Sequence, residues 1–224
     1  LGEVHKHIES SHVTPEYEAA LVIPRGNTWT CEASHEFSNV VPARTLDFWL
    51  AARAAGSPLK IFPLPGSAVP PTAWEHGAHL DGDDQTRFLG ESLMAAGLDE
   101  VMDWPAVRDR DNPAHDRLWS MIEATWAARA VVEGHAAGIR DRSQVALTTD
   151  DRPAQEVLAT GATDRNVRMA VEAGLPVETA VQMVTINPAR HMRLTPWVGS
   201  VTPGRFADLV LLSDVERFEI AEVW

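Results

Sequence analysis

The sequence predicts a parallel α/β protein, and within that class a (β/α)8 barrel of the triosephosphate-isomerase type. Two observations carry this. Short β-rich runs alternate with helical segments along nearly the whole chain, which is the order that builds a parallel sheet with helical crossovers. Polar side chains also recur at the C-terminal ends of those runs, namely His5 and His7, His35, Glu100, His135 and Asp150. In barrels of this type the active site lies at that end of the strands.

Taken in order, residues 1–8 read as a strand closing on His5-Lys6-His7. Residues i and i+2 of a strand share a face, so these two imidazoles can meet one metal ion; a helix would need i, i+4 spacing. Thr14-Pro15-Glu16 starts a helix, with Thr14 as its N-cap and Pro15 in its first turn. That helix stops near Pro24-Arg25-Gly26. Asn27–Cys31 is a second strand and delivers Ser34-His35-Glu36. Residues 43–55 are helical, Leu59–Leu64 is a third strand, and the proline-rich run 65–72 is a loop. A helix is expected over 83–98, with Leu89, Leu93, Met94 and Leu98 as its apolar face. A short strand, Asp99–Met102, then ends in Asp103-Trp104-Pro105. Residues 113–130 form an amphipathic helix with Leu118, Met121, Ile122 and Thr125 on one stripe. Strands at 130–135 and 145–151 end in His135 and in Asp150-Asp151. Helices follow at about 163–174 and 176–185, and Asn187-Pro188-Ala189 opens one more helical turn.

Composition bounds the function. Hydrophobic residues make up 45% of the 224, enough for a substantial core. A net charge of −13 disfavours nucleic acid as a partner. Cys31 is the single cysteine, so no intramolecular disulfide framework exists and a reducing compartment is expected. No apolar run approaches a membrane span, and the first residues carry no signal-peptide core. The expectation is a soluble cytoplasmic protein that does not engage membranes. His12, His76, His79, His115 and His191 lack a strand-end context and read as surface or packing residues. Trp49, Trp119 and Trp126 lie on helical segments and read as core.

The imidazole and carboxylate set suits a divalent ion such as zinc, iron or manganese. A catalytic ion of this kind leaves a position open for water and lowers its pKa, and a carboxylate beside that water can act as general base. On its residues the chain resembles the metal-dependent amidohydrolase superfamily, and within it the adenine deaminases. The resemblance rests on His5-Lys6-His7-Ile8-Glu9-Ser10-Ser11, Pro24-Arg25-Gly26, Ser34-His35-Glu36 with Asn39-Val40, Glu100-Val101-Met102-Asp103, Gly134-His135-Ala136, Thr149-Asp150-Asp151-Arg152 and Asn187-Pro188-Ala189. Gly199-Ser200-Val201 and the run Pro203–Val210 complete it.

The resemblance implies that His5 and His7 bind a first metal, Glu100 bridges two metals and His135 binds the second. Asp150 would be both metal ligand and general base. It places His35, as a catalytic group, and Glu36 in the pocket; Trp104 and Asp151 are candidates to contact substrate, and Glu9 to orient a ligand histidine. The cofactors implied are two divalent ions (manganese, iron or zinc). The reaction implied is hydrolytic deamination of adenine to hypoxanthine and ammonia by a metal-activated hydroxide, in purine salvage, by a homo-oligomer. Hydrolysis of a cyclic amide or another aminopurine is the neighbouring reading. A catalytically dead truncated barrel that acts as a binding or assembly module is the alternative from another class.

The chain departs from the family pattern in one large respect. His135 and Asp150 are 15 positions apart, whereas one βα unit needs roughly 20 or more residues. About two βα units are therefore missing between 139 and 145. Either an internal deletion removed them or the intact polypeptide carries them. The second is expected, because a deletion would expose strand edges. The barrel is thus expected to be incomplete over 1–198, with 199–224 starting a small β-sandwich domain. Smaller departures are Glu3 in place of an aspartate, Ser34 in place of a proline, and the absence of a histidine after Asp150-Asp151-Arg152.

Overall fold

The computed structural model describes residues 1–72, 74, 78–92, 95–128, 131–132, 143 and 145–224. His135, with the rest of 133–142, and His76 lie outside the described residues. The chain divides into two compact units. One comprises Leu1–Cys31, Ala52–Ile61 and Ala137–Trp224; the other comprises Glu32–Ala51 and Phe62–Ala136.

In the first unit, β1 (Gly2–Lys6) begins a sheet of order β1-β2-β3, with β2 at Trp29–Ser34 and β3 at Lys60–Pro65. β2 and β3 start in this unit and finish in the other. Every residue of β1 and β2 is buried, as a sheet covered on both faces requires. Helix α1 (Pro15–Val22) has Thr14 at its N-cap and Pro15 in its first turn, as the sequence predicts. α8 (Thr163–Glu172), α9 (Val177–Gln182) and α10 (Ile186–His191) stand close to their expected places. Leu1, Val167, Ala180, Val184 and Phe218 form the core here. The unit closes with an antiparallel hairpin, β6 (Val210–Asp214) with β7 (Glu219–Val223).

Two expectations in this unit need correction. The segment 145–151 is not a regular strand; it makes a single parallel bridge, Lys6 with Asp150. Its backbone polar groups are satisfied elsewhere: Leu147 N–H donates to Met183 O at 2.9 Å, Asn166 Nδ2 to Thr148 O at 2.8 Å, and Asn187 Nδ2 to Val145 O at 3.0 Å. Two side-chain amides and one backbone carbonyl thus replace ladder bonds that an alternation pattern cannot distinguish from them. Helix α7 (Ala154–Thr160) was not expected. Its N-cap is Pro153, so Asp150 and Asp151 are not its cap.

The second unit contains β4 (Gly97–Leu98), parallel to β5 (Val131–Val132), with Gly97 opposite Val131. Ala96 N–H donates to Pro63 O at 3.3 Å and Asp99 N–H to Pro65 O at 3.1 Å, seating β4 beside the end of β3. The helix expected over 83–98 is therefore shorter: α4 spans Gly82–Glu91, and Leu98 is a strand residue. Glu100 lies just past the strand rather than within it. A sparse apolar pattern fits either period, and pairing with β3 and β5 decides it. α4 packs on α6 (His115–Ala127). At their contact the Gly82 N–H donates to Ser120 Oγ at 2.9 Å, and a Cβ on Gly82 would lie 2.6 Å from Ser120 O. Leu118, Met121, Ile122 and Thr125 are all buried, as the amphipathic pattern predicts. Val69, Leu80, Leu98 and Ala106 join the three apolar ones in one core. Trp49 and Cys31 are buried, but Trp126 is 57% exposed, against the core expected for it. α2 (His35–Val40), α3 (Thr45–Ala54) and α5 (Trp104–Arg108) complete the described elements of this part of the chain.

Candidate metal centre

In the first unit the end of β1 and the segment before α7 bring four of the predicted residues together. Strand alternation sets Glu3 and His5 on one side of β1 and Val4 and Lys6 on the other, and His7 follows directly after the strand's last residue. His5 Nε2 lies 3.0 Å from Asp150 Oδ1, and His7 Nε2 lies 3.6 Å from the same oxygen. The two imidazoles meet edge to face with centroids 4.9 Å apart. Donor atoms of His7, Asp150 and Asp151 all lie within 4.8 Å of one another. Both histidines are about nine-tenths or more buried, whereas the Asp150 side chain is 60% exposed. Asp150 has φ +57°, a left-handed conformation uncommon for a residue with a Cβ. Such strain persists only where surroundings impose it, and here it goes with the carboxylate that meets both rings.

Those surroundings are specific. Glu3 is wholly buried. Its Oε2 accepts from Thr149 N–H at 3.0 Å and Thr149 Oγ1 at 2.7 Å, and its Oε1 accepts from Asn27 Nδ2 at 2.8 Å. The Thr148 hydroxyl donates to the His5 carbonyl. Glu3 therefore ties β1 to the residue preceding Asp150, two positions before His5 on the same side. On the other side, Lys6 Nζ meets Glu18 Oε1 of α1 at 3.1 Å, with both side chains buried. Burial raises the Glu18 carboxyl above its ordinary 4.5, and the Lys6 charge opposes that shift. Glu9 is half-buried and opens the short 3-10 turn Glu9–Ser11 that follows His7.

The other predicted residues belong to the second unit. His35, the first residue of α2, places Nδ1 2.7 Å from Oδ2 of Asp99, which is wholly buried. Asp99 Oδ1 accepts the Glu100 N–H at 2.7 Å, and Ser67 Oγ donates to the Glu100 carbonyl at 2.5 Å. Glu36 is exposed in the first turn of α2. Trp104 begins α5 behind its cap Asp103, whose side chain accepts the Ala106 N–H at 3.0 Å, and is 58% exposed. Sequence reasoning did not single out Asp99 or Ser67 and treated Glu3 only as a departure. For Glu3 a signal existed: an acidic residue on the His5 side of a wholly buried strand must find donors. Asp99 instead reads as the first residue of a short strand, and nothing in the sequence sets it apart until the turn after β4 is known.

Two buried imidazoles and an aspartate on converging segments form a donor set that a divalent cation fits. The fold and these donors define an α/β protein with a candidate metal centre at the end of its first strand. Residues 68–224 match the amidohydrolase family, and the chain belongs to that family. It is 57% identical over 280 aligned positions to "Adenine deaminase 2" of Jannaschia sp. (strain CCS1), covering 100% of this chain and 45% of that protein. The same figures hold for "Adenine deaminase 2" of Bradyrhizobium diazoefficiens. "Adenine deaminase" of Listeria innocua is 30% identical over 276 positions, covering 99% of this chain and 47% of that protein. The chain thus spans about half the length of the curated relatives it matches. Among the described residues no helix is long and apolar enough to cross a membrane.

Proposed function

We propose that this chain is part of an adenine deaminase that hydrolyses adenine to hypoxanthine and ammonia. The observation that carries the reading is 57% identity along the whole chain to proteins of that name. In this reading the parallel α/β core belongs to a (β/α)8 barrel and the β6–β7 hairpin to a small β-sandwich domain. His5, His7 and Asp150 would hold a divalent ion, with Glu100 and His135 as the further ligands that the family resemblance assigns. Manganese, iron and zinc all suit these donors. Such ions supply a water of lowered pKa for hydrolysis. Asp150 accepts a proton from the attacking water and passes it to the departing amine, so that water and adenine yield hypoxanthine and ammonia. Glu3 keeps the Asp150 backbone in place through Thr149. Glu36, Trp104 and Asp151 are the residues assigned to the purine. The enzyme is read as cytoplasmic and homo-oligomeric.

A second reading is a catalytically silent barrel fragment, and one observation bears on it. The alignment to the Jannaschia relative runs over 280 positions against 224 residues here, so at least 56 residues of the relative have no counterpart in this chain. We place that gap between 139 and 145, where about two βα units are missing. Metal content and ammonia release from adenine, measured on a chain of verified intact mass, separate the two readings. Metal uptake with hypoxanthine production supports the deaminase. No uptake and no hypoxanthine from a chain of the 224-residue mass supports the silent fragment.

A further inference from the structure

We propose that Asp99 is a positioning residue that sets two functional groups at once, the ring of His35 and the peptide of Glu100. The inference deepens the proposed function, since it takes Glu100 as a metal ligand and His35 as a pocket group. Asp99 is 0% exposed, and a carboxyl group at that depth needs partners for both oxygens. Its Oδ1 takes the Glu100 N–H at 2.7 Å, and its Oδ2 lies 2.7 Å from His35 Nδ1. Its own N–H donates to Pro65 O at 3.1 Å, which anchors the turn to the end of β3. The Glu100 peptide is then held from both ends, because its carbonyl accepts from Ser67 Oγ. Arg117 in turn fixes the Ser67 carbonyl, donating to it from Nη1 at 3.1 Å.

The His35 ring is confined from another side. A Cβ on Gly66 would stand 2.8 Å from His35 Cδ2 and 3.0 Å from its Cα, so the Gly66 backbone packs flush against the ring. A carboxylate oxygen beside Nδ1 selects the tautomer with the proton on Nδ1 and leaves Nε2 as the basic nitrogen. Partners of this kind, one bond removed from a ligand or a working base, govern metal affinity and tautomer together.

Two substitutions separate the roles. Asp99→Asn keeps an acceptor for the Glu100 N–H and puts an NH2 group next to His35. Asp99→Ala removes both contacts. The full chain, labelled with 15N-histidine, is compared by long-range 1H–15N correlation, with His35→Gln assigning the signal. In the parent the proton is expected on Nδ1, and in Asp99→Asn it moves to Nε2. Zinc affinity is measured in parallel. Asp99→Asn should hold zinc within about threefold of the parent, and Asp99→Ala should weaken it at least about tenfold. A His35 ring that keeps its proton on the same nitrogen in Asp99→Asn overturns the inference. So does an Asp99→Ala chain that binds zinc as tightly as the parent. Should Asp99→Ala fail to fold, the near-isosteric Asn variant still decides the His35 half. If the parent takes up no zinc, the proposed function falls, and the His35 comparison alone decides this inference.

Discussion

Removing the Glu3 carboxyl group should cost far more stability than neutralising it. Glu3→Ala strips the acceptor from three donors, Thr149 N–H, Thr149 Oγ1 and Asn27 Nδ2, in a site with no solvent exposure at Glu3. Each buried donor left unmet costs about 1–3 kcal/mol. Partial relaxation and water entry lower the sum, so the expected loss is about 3–5 kcal/mol, a large share of the roughly 5–15 kcal/mol that holds a typical domain. Glu3→Gln behaves differently because of its neighbour. Asn27 Oδ1 is buried without a hydrogen-bond partner, so turning the Asn27 amide offers that oxygen to the new NH2 group. The remaining amide oxygen then still accepts from Thr149. The expected cost is about 1 kcal/mol. Urea titration followed by far-ultraviolet circular dichroism gives both numbers, with equal m-values as the check on two-state behaviour. An alanine variant within about 1 kcal/mol of the parent, or a Gln variant as damaged as the alanine one, would refute the reasoning.

Further outcomes follow from other parts of the structure. Glu18→Ala removes the 3.1 Å carboxylate contact of the buried Lys6 ammonium, and should cost about 3–5 kcal/mol, whereas the double replacement Lys6→Met with Glu18→Leu should be near neutral or stabilising; thermal melts compare them. Burial holds the Glu18 pKa above the ordinary 4.5, with Lys6 opposing. Its contribution to stability is therefore fully present below 4.5 and declines as the pH rises through the raised value, and Glu18→Gln should remove that decline when unfolding is followed between about pH 4 and 8. Gly82→Ala would place a Cβ 2.6 Å from Ser120 O, forcing α4 from α6 at a cost of about 1–3 kcal/mol, visible as a lowered melting temperature. On the proposed deaminase reading, Asp150→Asn and Glu100→Gln should each abolish ammonia release from adenine; near-normal turnover in either variant would remove that residue from its assigned role.

Much of the architecture was legible because it rests on local rules. The first strand, the Pro15 helix start and the apolar stripe of α6 follow from side-chain period and cap chemistry, and the structure has all three, with the strand ending at Lys6, one residue before His7. The Leu98 and 145–151 segments depart from the sequence pattern for a common reason. β4 is two residues long, and the 145–149 segment is held by Glu3, Asn166 and Asn187. Neither pattern has enough residues of one period to outweigh the other, so non-local pairing decides. α7 escaped notice because its seven residues, Ala154–Thr160, carry no apolar stripe long enough to read.

The candidate donors are proposed from the sequence alone. The i, i+2 spacing predicts His5 and His7 on a common side, and the family resemblance assigns Asp150, Glu100 and His135 as their companions in the proposed centre. Only the tertiary structure shows what holds Asp150 in place. Asp150 reaches the histidines from 145 positions away along the chain, in a left-handed backbone conformation, because Glu3 grips the preceding threonine. Asp99, unremarkable in sequence, is buried between His35 and the Glu100 peptide. Spacing along the chain reports which side chains share a face, since that depends on local geometry. Which buried carboxyl group satisfies which distant donor depends on where the chain returns, and that is settled only by packing.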